Sequence, residues 1–115
     1  MSKKVDGFVF PTDNVVVAGM AVVLRTTVPA HQVTVSGDMG SLAAGCTAAM
    51  TVDYYKLGLQ AAQLGADILE GRRTAAETPI GVQDVKNPTF NVKAMKRLGL
   101  EIPEDLKAGA LLWQK

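Results

Sequence analysis

Gly7-Phe8-Val9-Phe10-Pro11-Thr12-Asp13-Asn14, running straight into the apolar residues 15–24, decides how this chain is read. A short apolar run over residues 6–10 fits a buried strand. Pro11 ends it, because proline has no N–H to give to a ladder. Asp13 or Asn14 can then accept from the orphan N–H groups of a following helix, expected over residues 15–25. The pattern returns at Val33-Thr34-Val35-Ser36-Gly37-Asp38-Met39-Gly40. Two strands that each end in an Asp-bearing loop are how an open parallel α/β sheet builds a ligand site. A small-molecule site is therefore the leading expectation.

Working outward, the apolar character of residues 15–24 on nearly every side predicts a helix covered on more than one face. Its valines are stiff at χ1, so a strand over 14–17 is the competing reading. Pro29-Ala30-His31 is a connector, and residues 32–36 form a second, central strand. A glycine turn over 37–40 leads to a short helix over 41–44, broken by Gly45. A third strand is expected over 46–52. The clearest helix covers residues 54–70, where Leu57, Ala61, Leu64 and Ile68 recur on one face. Asp53 suits its N-cap, Gly71 its C′ position, and Arg72 and Arg73 the negative end of its dipole. Beyond it, residues 78–85 and 89–92 read as strands and 93–98 as a short helix. Pro103 opens another short helix. Leu111, Leu112 and Trp113 are expected to dock, since a bare apolar tail is a liability.

A chain of 115 residues with 48% apolar and 20% charged residues can build a packed core. A net charge of +1, with the basic residues scattered, gives no support to nucleic-acid binding. The lone Cys46 cannot form an internal disulfide, and the lone His31 cannot build a metal site. No metal or cofactor is expected. No apolar run approaches the ~20 residues that span a bilayer. No signal-peptide hydrophobic region follows Met1-Ser2-Lys3-Lys4, so the chain as written reads as cytoplasmic.

The candidate ligand residues lie at strand ends. Thr12, Asp13 and Asn14 can hold an amine or hydroxyl, or can simply cap and turn. Asp38, between Gly37 and Gly40, is either an ammonium partner or an ordinary turn aspartate. Asp53 and Tyr54 cluster at a helix start, where a tyrosine can stack on a ligand or serve only the surface. The glycines at 37, 40 and 45 do not match a dinucleotide fingerprint, and no P-loop lysine follows. No nucleophile elbow or His with an orienting acid is present, so no enzyme is expected. Asp13 and Asp38 both stand at strand ends, but that alone defines no reaction.

Five landmarks in order carry a resemblance: Phe10-Pro11-Thr12-Asp13-Asn14, then Val35-Ser36-Gly37-Asp38-Met39-Gly40. Val52-Asp53-Tyr54-Tyr55-Lys56-Leu57-Gly58, Ile68-Leu69-Glu70-Gly71 and the run from Lys93 to Pro103 follow. Together they resemble the C-terminal half of ABC-transporter substrate-binding proteins of the type I periplasmic-binding fold, in the branch for amino acids and small solutes. The resemblance implies residues 1–115 as a single partial domain. Its fold would be a three-layer, flavodoxin-like lobe around a mainly parallel sheet, incomplete and completed by association. It places Thr12, Asp13 and Asn14 on one cleft-facing loop, Asp38 on the next, and Asp53 and Tyr54 near a crossover. It implies a small solute, an ABC permease or complementary N-terminal lobe as partners, and a periplasmic or extracellular, lipoprotein-like setting. A lone lobe would bind weakly and self-associate into a homo-oligomer. Two other readings stand beside it: a flavodoxin-like nucleotide- or phosphate-binding module, and a ligand-free assembly module.

Overall fold

The computed structural model describes residues 4–85 and 87–114, which divide into two units. Unit 1 takes the described residues up to Thr51 and from Asn87 onward; unit 2 is Val52–Val85.

Unit 1 is built on a five-stranded sheet in the order β1 (Gly7–Phe10), β2 (Val33–Ser36), β3 (Ala48–Ala49), β4 (Thr89–Asn91), β5 (Leu111–Trp113). β1, β2 and β3 run parallel, β4 runs against β3, and β5 is parallel to β4. The register aligns Val9, Val35, Ala48, Phe90 and Leu112 in one row and Phe10, Ser36, Ala49, Thr89 and Leu111 in the next. Side chains alternate faces along a strand, so these rows serve opposite faces. On one face Phe10 packs with the buried Met20, Leu24 and Cys46 under α1 (Asn14–Thr27). On the other, Val35, Ala48 and Phe90 meet Met95 of α4 (Val92–Leu98), Ile102 and Ala110. The mixed α/β fold with a mostly parallel sheet is thus as expected.

Residues 14–17 are helical rather than strand. Asp13 secures their first turn, and one apolar stripe of α1 is buried at Met20 and Leu24, which outweighs the valines' β preference. α2 (Met39–Ala44) begins two residues before the expected start, because Asp38 caps it. The third strand is shorter than 46–52. Thr47 already bonds to β2, its N–H reaching the Thr34 carbonyl at 2.9 Å, and Met50 N reaches the Ser36 carbonyl at 2.9 Å. Past Thr51 the chain has left for unit 2, so no ladder continues. The apolar tail pairs with β4 as β5, but Leu111 and Leu112 stay more than half exposed. A short helix α5 (Glu104–Lys107) follows Pro103 as expected.

Unit 2 consists of α3 (Tyr54–Leu69), a 3₁₀ turn (Ala75–Glu77) and an extended return. The strand expected over 78–85 is not formed, because no described strand of unit 2 runs beside it to complete a ladder. α3 matches expectation closely. Asp53 Oδ1 accepts from Lys56 N at 3.1 Å, and Gly71 sits beyond the helix end at φ 71, a conformation costly for any residue with a Cβ. The N–H of Arg72 returns to the Asp67 carbonyl at 2.9 Å, and its guanidinium holds the Asp67 carboxylate at 2.7 Å. That pairing, with Gln63, keeps the Asp67 carboxyl below its ordinary value.

Candidate functional site

The loops that follow β1 and β2 are joined at the C-terminal ends of those strands. Gly37 N donates to the Phe10 carbonyl at 2.9 Å, and Thr12 Oγ1 donates to the Gly37 carbonyl at 2.9 Å. A Cβ on Gly37 would lie 2.8 Å from Thr12 Oγ1 and 3.1 Å from Thr12 N, so this approach requires glycine. Pro11 contributes by stopping the ladder at Phe10 and turning the chain toward Gly37.

Asp13 stands next in the chain, extended and exposed. Its Oδ1 accepts from Val15 N at 2.8 Å and Val16 N at 3.0 Å. Both bonds fall on one oxygen, which leaves Oδ2 facing solvent with no partner among the described residues. Asn14 is exposed at the first position of α1. Capping and ligand contact are therefore compatible at Asp13: one oxygen does each.

Asp38 is differently placed. It is 6% exposed, with Oδ1 accepting from Ser41 N at 2.7 Å and Oδ2 from Ser41 Oγ at 2.8 Å. Ser36 Oγ donates to its carbonyl at 3.0 Å. Both carboxylate oxygens are thus engaged in fixing α2, and the group shapes the loop from within. Asp38 therefore offers no unengaged carboxylate oxygen for accepting a phosphoryl group.

Thr12, Asp13, Asn14 and Asp38 therefore share one end of the unit 1 sheet. Asp53 and Tyr54 belong to unit 2, where Asp53 caps α3 and Tyr54 is exposed. Residues that sequence reading did not single out also act here. Ser41 follows Asp38 by three, a spacing that signals a side-chain cap and was legible in principle. Asn91 bridges β4 to α2, Nδ2 donating to the Leu42 carbonyl at 2.9 Å while Oδ1 accepts from Ala94 N at 3.0 Å. Its helix-capping half is local; its bond to Leu42 has no local signal.

Among the described residues no group of three or more His, Cys, Asp or Glu could hold a metal ion. Burial raises the Cys46 thiol above its ordinary value, which keeps it a protonated, apolar-like side chain against Met20. What the arrangement offers is a carboxylate oxygen, a hydroxyl and a carboxamide, all accessible, on a rigid strand-end platform. That set suits an ammonium or hydroxyl on a small ligand.

Known proteins resemble this chain in sequence and in fold. A tyrosine-binding protein of Clostridioides difficile (strain R20291) is 29% identical over 98 residues, covering 85% of this chain and 28% of that protein. A solved domain from Streptococcus pneumonia, an ABC domain in complex with L-Trp, superposes with a TM-score of 0.80 at 25% identity, covering 97% of this chain and 38% of its own. A conserved domain protein from Vibrio cholerae O1 biovar eltor gives a TM-score of 0.79 at 26% identity, over 98% of this chain and 38% of its own. The chain thus spans well under half the length of these relatives. Residues 1–111 match the family described as ABC transporter substrate binding protein. With the strand-end platform, the mostly parallel sheet and this match running through nearly all of its length, the chain belongs to the ABC transporter substrate binding protein family.

Proposed function

We propose that this chain is the partial solute-binding component of an ABC importer, and that its solute is an amino acid with an aromatic side chain. The observation that carries the reading is the free Oδ2 of Asp13 beside Thr12 and Asn14, on a loop pinned to Gly37. An α-ammonium placed there would meet a carboxylate and a hydroxyl lone pair without displacing the helix cap. Relatives that bind tyrosine and L-tryptophan support the side-chain class. Asp53 and Tyr54 are proposed as ligand residues of unit 2 taken by itself. Binding is non-covalent and needs neither cofactor nor catalysis.

On this reading the partners are the solute, an ABC permease, and a complementary lobe that closes the pocket. The working compartment is the periplasm or the cell exterior. Small-molecule pockets enclose ~70–90% of a ligand's surface, which one wall cannot do, so the lone chain binds at millimolar strength or weaker. Isothermal titration with L-tyrosine and L-tryptophan tests this, with and without the remaining part of a relative supplied as a separate chain. Tight binding only in the presence of that part supports the reading; no heat in either format defeats it.

The second reading, a homo-oligomeric assembly module, draws on α3, which has no buried residue and exposes Leu57, Leu59 and Leu69. Exposed leucines on one helix drive self-association. Light scattering on the Leu57→Glu/Leu64→Glu variant tests it: a dimer that becomes a folded monomer supports an α3 interface, and a wild-type monomer removes it.

A further inference from the structure

Unit 2 contains a helix and an extended return but no described strand, so its two ends need something other than a ladder to keep register. The side chain of Gln83 supplies it. Asp53 N donates to Gln83 Oε1 at 3.0 Å, and Gln83 Nε2 donates to the Asp53 carbonyl at 2.9 Å, across 30 residues of sequence. One carboxamide thus meets both polar groups of a single residue's backbone, as the peptide of a neighbouring strand would. Gln83 is half-buried and Asp53 is the N-cap of α3.

The positions of these two residues matter. Asp53 is one residue inside the start of unit 2 at Val52, and Gln83 lies two residues before its end at Val85. The reciprocal pair therefore joins the segment on which the chain enters unit 2 to the segment on which it leaves. A surface glutamine held only for solubility would be free to exchange both bonds for water. Here acceptor and donor are both fixed, at distances normal for N–H···O bonds.

We propose that Gln83 is a positioning residue that clasps the entering and leaving segments of unit 2 together and sets the first turn of α3 through the backbone of Asp53. The chemistry requires a side-chain amide of this length. Asparagine is one methylene short, glutamate lacks the donor for the Asp53 carbonyl, and methionine has the shape without either bond. Any effect on solute rests on the solute-binding reading above, because Asp53 and Tyr54 are candidate ligand residues. The clasp itself does not depend on that reading.

Backbone amide exchange at Asp53, measured by NMR on the wild-type chain and on Gln83→Met and Gln83→Glu, tests the proposal. Wild-type Asp53 should be protected. Loss of the clasp in Gln83→Met should speed its exchange roughly tenfold, in line with the strength of a pair of hydrogen bonds, while amides in the middle of α3 stay unchanged. Gln83→Glu keeps the acceptor for the Asp53 N–H and should retain part of the protection. Equal exchange in wild type and Gln83→Met overturns the proposal. So does a parallel rise along all of α3, which would make Gln83 general glue; if Gln83→Met fails to fold, unchanged Asp53 exchange in Gln83→Glu and an unprotected wild-type amide overturn it equally. An L-tryptophan titration of the same proteins separates the two claims: a protected Asp53 with no wild-type response defeats the solute reading and leaves the clasp standing.

Discussion

Thr12 and Gly37, 25 residues apart, are locked together by a single bond from hydroxyl to carbonyl at 2.9 Å, and with no space between them for a methyl group. This contact turns two separate strand-end loops into one platform. Gly37→Ala would place its Cβ 2.8 Å from Thr12 Oγ1, so the loops must separate. We expect a loss of about 1–3 kcal/mol in urea unfolding, the usual range for overpacking a tight site. Thr12→Val removes only the bond and should cost about 1 kcal/mol.

Asp38 works inside the fold rather than on its surface. Asp38→Ala removes the cap of α2 and strands the buried Ser41 hydroxyl, which should cost about 2–3 kcal/mol in the same assay. Asp38→Asn keeps an acceptor for Ser41 N and should cost less. If Asp38→Ala were as stable as wild type, its inward role would be wrong.

The Asp67–Arg72 pair predicts a pH response with a definite sign. The Asp67 carboxyl is held low in the folded chain, first by its bond to Arg72 and then by Gln63. A depressed folded value means the stabilisation is fully present above the ordinary aspartate value of about 3.9 and is lost as pH falls through the folded value. NMR titration should show Asp67 titrating below its ordinary range, and Arg72→Met should return it upward. The Arg72 guanidinium is solvent-exposed, so the effect should shrink in high salt.

Cys46 is fully buried against Met20, and burial lifts its thiol above the ordinary range. A raised folded value favours the protonated form, so its contribution is complete below the unfolded thiol value of about 8.5 and fades as pH rises past it. Alkylation at neutral pH should be slow in the native chain and fast in denaturant. Rapid native labelling would contradict the packing.

His31 is the one described residue other than glycine with a left-handed backbone, φ 54, in the turn between α1 and β2. Such a conformation costs roughly 1 kcal/mol for a residue with a Cβ. His31→Gly should therefore be neutral to stabilising, by up to about 1 kcal/mol in thermal unfolding. A clear destabilisation would point to a role for the imidazole itself.

What could be read from the sequence was what is local. Asp13 and Asp53 each cap a helix within three residues of themselves, so residue type and place were enough. β1 and β2 were legible because apolar runs end at Pro11 and at the Gly37 turn. The short β3, the missing ladder over 78–85 and the pairing of β5 with β4 depend on which segments lie side by side, and no local pattern carries that. The site divides in the same way. Thr12 and Asp13 announced themselves by type and place. The inward turn of Asp38 depends on Ser41, and the Gln83 clasp depends on a partner 30 residues away.

The most direct test of the central claim is an amide-resolved NMR titration of the chain with L-tryptophan into the tens of millimolar, with L-glutamate as control. The account predicts shifts confined to Thr12 through Val16 and around Gly37, saturating for tryptophan and abolished by Asp13→Ala. No saturable shift at these amides, or the same shifts with either amino acid and with Asp13→Ala, would contradict it.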